Sequence, residues 1–374
     1  MYMKPLLKWP GGKSRELDQV YGLIPDYDRY LEPFFGGGAM YFHLQPKIAA
    51  INDTAKDLME FYHMIRTQNP EFRSALTCYA DSFKGLLEFG RGHVIQLLDL
   101  FEDLMAGKDI HEGLTALMDS WMPIILNMFD QPVVLDEAAF RKELEESLLD
   151  KLERTVKNHQ KQPFSADDLA ENLVTGLSSG YYLYFRSVFN DWQLGRIYLS
   201  PGHRAANFFF IRENCYGSMF RYNKHGEFNI PYGGMSYNDK DFAGKVNVLF
   251  HAKTAEQFAG TQIYSRDFEE FFRQVNPDER DFMFLDPPYD TEFSDYEGAA
   301  FTKLDQARLA VALSKTKAKF LLIIKNTPFI EALYSQGFYV RRFDKQYTYN
   351  VRSRNDRAAE HLIITNYPLP DENP

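Results

Sequence analysis

The stretch that most limits what this chain can become is Phe282-Met283-Phe284-Leu285 followed directly by Asp286-Pro287-Pro288-Tyr289. Four consecutive large apolar residues read as a strand buried on both faces, the signature of a parallel sheet covered by helices. Two successive prolines cannot continue a ladder, because neither has an N–H to donate, so they stiffen a turn at the strand's carboxyl end. There the Asp286 side chain and the Pro287 carbonyl can accept hydrogen bonds from an exocyclic amine. Tyr289 offers a flat face for a base, a contact worth about 1–3 kcal/mol. A plain proline turn with Asp286 capping a helix is the alternative that this motif leaves open.

Other short apolar runs end in polar or glycine-rich corners: Tyr30-Leu31, 48–51, 261–264 and 320–324, with 338–343 and 361–366 near the end. Helical patterns such as 57–66 and 305–314 separate them. The alternation predicts an α/β fold, a doubly wound, mostly parallel sheet with ligands at the carboxyl ends of its strands. Phe34-Phe35-Gly36-Gly37-Gly38 follows the first of these runs and opens a helix, and glycines there let the backbone approach a ligand closely. Asp53 closes the run 48–51, where an acid can bond both hydroxyls of a ribose; a helix N-cap is the other reading.

Charge divides the chain further. The net charge is −10, which by itself argues against a nucleic-acid binder. Residues 71–178, however, hold 20 acids and 10 bases, so the remainder is neutral. Within that remainder, residues 202–225 carry four bases against one acid, and 341–357 six against two. The organisation expected is a core in two parts, 1–70 and 246–374, around an acidic helical insertion at 71–178 and a recognition region at 179–245. The insertion has amphipathic helical spacing over 94–105, 114–128 and 138–156. Residues 180–238, rich in Tyr, Phe, Asn, Arg and Gly, suit a recognition surface better than a core.

In this order the motifs resemble those of the S-adenosylmethionine (AdoMet)-dependent DNA adenine methyltransferases of the Dam type, over residues 6–66 and 181–367. Leu7-Lys8-Trp9-Pro10-Gly11-Gly12-Lys13 is similar to the family's N-terminal AdoMet motif, with Pro10 where Ala is usual. Glu32-Pro33-Phe34-Phe35-Gly36-Gly37-Gly38 resembles its glycine-rich motif. The resemblance implies a Rossmann-like methyltransferase sheet in which Trp9, Lys13, Phe34, Gly36 and Gly38 hold the cofactor. It makes Asp53 the ribose acid and Asp267 the acid that bonds the cofactor's adenine. Arg221-Tyr222-Asn223 and Gly226-Glu227-Phe228-Asn229-Ile230-Pro231 are similar to its target-recognition segment, so Arg221, Asn223, Asn229 and Pro231 are expected to meet DNA. Arg352 and Arg354, in the basic stretch before the closing strand, join them. Where the family often has Asn-Gly before the recognition Arg, this chain has Tyr216-Gly217-Ser218-Met219-Phe220.

The resemblance implies methyl transfer from AdoMet to N6 of an adenine flipped out of double-stranded DNA, with Asp286, Pro287, Pro288 and Tyr289 as the catalytic turn. No His/Cys/Asp cluster argues for a metal. Cytosine-C5 chemistry needs a nucleophilic cysteine; Cys78 lies in the insertion and Cys215 lacks a Pro-Cys context. Cytosine-N4 chemistry shares the amine mechanism but more often has Ser in place of Asp286. A catalytically silent DNA-binding protein on the same fold is the rival of another class, and the joint presence of Lys13, Asp53, Asp267 and Asp286 speaks against it. Two distant cysteines, no signal-like N-terminus and no apolar run of bilayer length lead to the expectation of a cytoplasmic protein of bacterial, archaeal or phage origin. The acidic insertion is expected to prop the recognition region or to serve a protein partner or self-association, with a direct role in DNA binding as the third reading.

Overall fold

The computed structural model describes residues 3–10, 20–219, 221–289, 301–346 and 358–370. It divides into two compact units, Met1–Arg66 with Ala252–Pro374, and Thr67–His251.

The first unit is built on a seven-stranded sheet. Its strands are β1 (Arg29–Glu32), β2 (Ala49–Asn52), β3 (Thr261–Tyr264), β4 (Asp281–Leu285), β5 (Lys319–Lys325), β6 (Tyr339–Gln346) and β7 (Ala358–Thr365), in the order β3-β2-β1-β4-β5-β7-β6. The first five run parallel, and β7 lies antiparallel to both of its neighbours. The doubly wound, mostly parallel sheet expected from the apolar runs is therefore present. Every residue of β4 is buried, and so are the five central residues of β5, as double-faced helical cover requires. Helices α1 (Ala39–Leu44) and α2 (Lys56–Arg66) follow β1 and β2.

The strand order reverses between β1 and β4, and a crevice at the carboxyl end of such a switch is where doubly wound folds bind ligands. Leu31 pairs with Met283 across this seam. The glycine turn after β1 and the proline turn after β4 are thus neighbours in space although about 250 residues separate them in sequence.

The second unit is helical: α3 (Pro70–Gly92), α4 (Val94–Met105), α5 (His111–Leu126), α6 (Glu137–His159), α7 (Ala166–Gln193), α8 (Pro201–Asn214) and α9 (Phe242–Leu249). The apolar stripes of its acidic helices are covered within the unit; Leu97, Trp121, Phe140, Leu144 and Leu148 are all buried. Two features differ from the sequence reading. Helix α7 runs straight through the expected boundary at residue 178. The aromatic residues from 181 to 210 form core rather than a recognition surface, apart from the half-buried Trp192 and the exposed Tyr198. Tyr181, Phe185 and Phe189 recur every four residues on the buried face of α7, and Phe210 of α8 stacks on Tyr79 with ring centroids 5.1 Å apart. A helical period of aromatics buries a stripe, and that period outweighs the polar residues interspersed with it.

Candidate active site

Three loops meet at the carboxyl edge of the sheet, and Asn52, fully buried at the end of β2, ties them together. Its amide donates to the carbonyls of Pro33 and Arg266, both at 3.0 Å, and accepts from the Arg266 N–H at 2.9 Å. Sequence reasoning passed over Asn52; its only signal is an amide ending an otherwise apolar strand.

The glycine turn has the backbone that its composition foretold. Gly36 and Gly38 lie at φ 49° and 66°, a region that side chains with a Cβ rarely adopt. A Cβ on Gly36 would stand 2.9 Å from the Trp9 indole. The Trp9 side chain thus lies across the turn, and glycine leaves room for its ring. The Gly36 N–H donates to Asp53 Oδ2 at 2.8 Å, and the Ala55 N–H donates to Oδ1 at 3.0 Å. These backbone donors, with that of Thr54, favour the charged carboxylate, while burial as the larger influence pushes its pKa up. Phe34 packs edge-on against Phe301 and near Phe268, with ring centroids 5.5 and 5.8 Å away.

Asp267 caps the helix α10 (Phe268–Val275), where its Oδ1 accepts from the Glu269 N–H at 3.0 Å. Arg308, on the helix α11 (Lys303–Lys315), donates to the same Oδ1 at 2.9 Å and to Glu269 and Asp305 at 2.8 Å. Its guanidinium carbon sits 4.9 Å from the centroid of the Phe268 ring. Asp267 Oδ2 accepts no hydrogen bond among the described residues.

In the turn after β4, Asp286 and Tyr289 are half-buried, Pro287 is buried and Pro288 is exposed. The Pro288 carbonyl accepts from Gln306 Nε2 at 2.8 Å, and the Tyr289 hydroxyl lies 3.2 Å from His361 Nε2. Both partners are fully buried, and sequence reasoning missed both. Glu32, at the end of β1, accepts the Tyr30 hydroxyl at 2.7 Å. Burial first, and then the negative charges of Asp286 and Asp53, hold its carboxyl well above the usual range. The neighbouring carboxylates of Asp53 and Asp286 favour a cationic ligand at this edge.

The expected recognition residues belong to the helical unit and come together in one hairpin. Tyr222 and Phe228 form an antiparallel bridge. Arg221 is exposed, and its Nε reaches Asn229 Oδ1 at 3.4 Å. Asn223 uses its side-chain oxygen on the hairpin's own turn, accepting from the His225 and Glu227 N–H groups at 2.8 and 3.1 Å. Pro231 is exposed, and its carbonyl accepts the Tyr216 N–H at 2.9 Å. Asn190 of α7 docks the hairpin as a strand would: it accepts from the Phe228 N–H at 2.8 Å and donates to the Phe228 carbonyl at 3.1 Å. Lys13, Arg352 and Arg354 lie outside the described residues.

Burial pushes the thiols of Cys78 and Cys215 up to about 12, which leaves neither a ready nucleophile. No helix among the described residues is long and apolar enough to cross a membrane.

Comparison with known proteins identifies the family. The sequence model of a family described as D12 class N6 adenine-specific DNA methyltransferase matches residues 9–84 and 144–351. The unmatched interval, 85–143, is narrower than the acidic insertion expected at 71–178. The chain is 24% identical over 371 residues to the type II methyltransferase M.CviBI of Paramecium bursaria Chlorella virus NC1A, covering 98% of this chain and 100% of that one. It is 26% identical over 388 residues to the type II methyltransferase M.MjaIII of Methanocaldococcus jannaschii, covering 98% and 100%. Identity to the DNA N-6-adenine-methyltransferase of Escherichia phage P1 is 25% over 352 residues, 91% of this chain and 32% of that one.

Proposed function

The chain belongs to the D12 class of N6 adenine-specific DNA methyltransferases, and from that premise we propose that it methylates an adenine flipped out of double-stranded DNA, using AdoMet, at the turn Asp286-Pro287-Pro288-Tyr289. The observation that carries this reading is the pairing of β1 with β4, which sets the glycine turn and the proline turn side by side at the strand-order switch.

The residues present suit AdoMet. The positive-φ turn at Gly36 and Gly38 carries no Cβ, so its backbone is open to close approach by a ligand while Trp9 and Phe35 pack against it. Asp53, oriented by backbone N–H groups, retains acceptor capacity for ribose hydroxyls. Asp267 Oδ2 can accept from an adenine amino group. The carboxylates of Asp53 and Asp286 give the edge a negative potential that fits a sulfonium. When bound, AdoMet supplies the electrophilic methyl group.

The protein's part is to present the nucleophile. Asp286 and the Pro287 carbonyl accept the two N–H bonds of the adenine amino group, which turns the nitrogen lone pair away from them. Tyr289 holds the base by stacking, and half-burial of the turn limits competing water. Such placement of two reactants is worth several kcal/mol of barrier, with fixed dipoles adding to it. In the helical unit, Arg221 has the side chain best shaped for guanine in the major groove. Arg352 and Arg354 supply sequence-independent attraction to phosphate.

Incubation with methyl-labelled AdoMet and duplex DNA, followed by nucleoside analysis, tests the proposal. N6-methyladenine is the expected product; N4-methylcytosine, 5-methylcytosine or no incorporation would overturn it.

A further inference from the structure

We propose that Gln306 and His361 are positioning residues for methyl transfer, bracing the proline turn from two sides so that its acceptors and its aromatic face keep one arrangement. This rests on the reading of Asp286-Pro287-Pro288-Tyr289 as the catalytic turn.

The two prolines fix φ but leave ψ at Pro288 and the side-chain torsions of Tyr289 free. Two buried side chains limit that freedom. Gln306, one turn into α11, donates its amide N–H to the Pro288 carbonyl at 2.8 Å. Gln306 has no exposed surface, so its donor is shielded from solvent even though Pro288 is exposed. The helix itself is anchored by a capping box between Thr302 and Asp305, and Arg308 ties it to Asp267 and Glu269. Gln306 therefore speaks for a fixed support, and the same helix steadies the acid assigned to the cofactor's adenine. The Gln306 oxygen has no partner among the described residues. An amide fully buried with one acceptor left unsatisfied costs stability, and the bond to Pro288 is what its burial provides.

His361 approaches from the other side. Its backbone is locked in β7 between Lys325 of β5 and Phe343 of β6. Its ring meets the Tyr289 ring nearly edge-on, with centroids 5.6 Å apart at 69°, and Nε2 lies 3.2 Å from the phenol oxygen. A stacking platform works only at a set tilt, and the phenol bond sets the tilt of Tyr289. Gln306 fixes the backbone of the turn and His361 fixes its ring. Neither is positioned by this geometry to touch substrate.

The test uses the full chain and a DNA duplex that it methylates. Gln306→Met keeps the volume and removes the bond; His361→Leu and Tyr289→Phe each remove the phenol contact from one side. Expected is a kcat lowered about tenfold or more in Gln306→Met, since small misplacements of reacting groups are costly. The two phenol variants should each lose about three- to tenfold, the worth of one hydrogen bond. AdoMet affinity by calorimetry and melting temperature should hardly move, and the double variant Tyr289→Phe/His361→Leu should be no slower than the slower single one. Wild-type kcat in Gln306→Met and in Tyr289→Phe overturns the proposal, as does kcat falling only in step with AdoMet affinity or melting temperature. Multiplicative losses in the double variant overturn the His361 half. Should Gln306→Met or His361→Leu not fold, Gln306→Asn, which shortens the reach, and Tyr289→Phe, which leaves β7 untouched, decide by the same criteria. Asp286→Ala separates the two levels. Full activity in it removes the reading of the turn as catalytic; an inactive Asp286→Ala beside unaffected Gln306 and His361 variants removes only the brace.

Discussion

The backbone N–H of Gly36 donates to Asp53 Oδ2 at 2.8 Å, so the glycine turn after β1 and the acid after β2 are one hydrogen-bonded unit. Removing Asp53 therefore does two things: it takes away the proposed partner for the cofactor's ribose and it leaves the turn without its anchor. Asp53→Ala should weaken AdoMet binding by about 1–3 kcal/mol. Asp53→Asn, which retains one acceptor for Gly36, should lose less. Calorimetric affinities that match the unmodified protein in both variants would refute the assignment.

On the proposed reading, Asp286 faces the base rather than gripping the cofactor. Asp286→Ala should lower methyl transfer by about 100-fold or more while AdoMet still binds, because it removes a preorganised acceptor at the reacting nitrogen. Tyr289→Ala should damage base capture far more than Tyr289→Phe, in which the stacking face persists. Turnover near normal in Asp286→Ala would remove the central claim.

Arg221 stands exposed on the hairpin with Asn229 beside its Nε. Arg221→Ala should relax or redirect base preference at one position by about 1–3 kcal/mol, while Asn229→Ala, which frees but does not remove the guanidinium, should do so more weakly. Sequencing of methylated sites in a mixed DNA pool reads this out. Equal loss at every site would make Arg221 a phosphate contact.

Glu32 gives a pH dependence of definite sign. Its carboxyl is held well above the usual range by burial and by Asp286 and Asp53, so between the ordinary and the raised value the folded state binds more protons than the unfolded chain. Stability from this group is thus present at low pH and lost as pH rises through the raised value. Glu32→Gln keeps an acceptor for Tyr30 without the charge. Its melting temperature relative to the parent should climb from about pH 5 to about pH 8. A difference that stays flat or falls over that range contradicts the assignment.

Gly180 tests the helical unit. A Cβ there would stand 2.7 Å from Leu144 Cα and 2.8 Å from the Glu143 carbonyl, since α7 crosses α6 with almost no gap. Gly180→Ala should destabilise the protein by about 1–3 kcal/mol despite the better helix propensity of alanine. Denaturant unfolding showing a gain in stability would mean that the helices separate at little cost.

Much of this was legible in the sequence because it depends on neighbours in the chain. Short apolar runs located the seven described strands, most sharply β4 and β5, where burial on both faces selects apolar residues at every position. Gly36 and Gly38 announced a turn because only glycine adopts that backbone readily. Asp53 and Asp286 were found because each closes a strand. What the tertiary structure alone decided depends on residues that meet across the fold. Asn52 is marked only as an amide ending an apolar strand, and Gln306, Arg308 and His361 carry no local mark, as one amide, guanidinium or imidazole in a helix or strand looks like any other. Their roles arise from bonds to Arg266, Pro288, Asp267 and Tyr289, set by strand order and by helix packing. The same reason explains the misread aromatics of α7 and α8. Composition marked them as unusual, but which face they bury is fixed only when another helix packs against it. The sequence by itself determined the chemistry and the elements that bear it; the tertiary structure decided which buried side chains hold that chemistry in place.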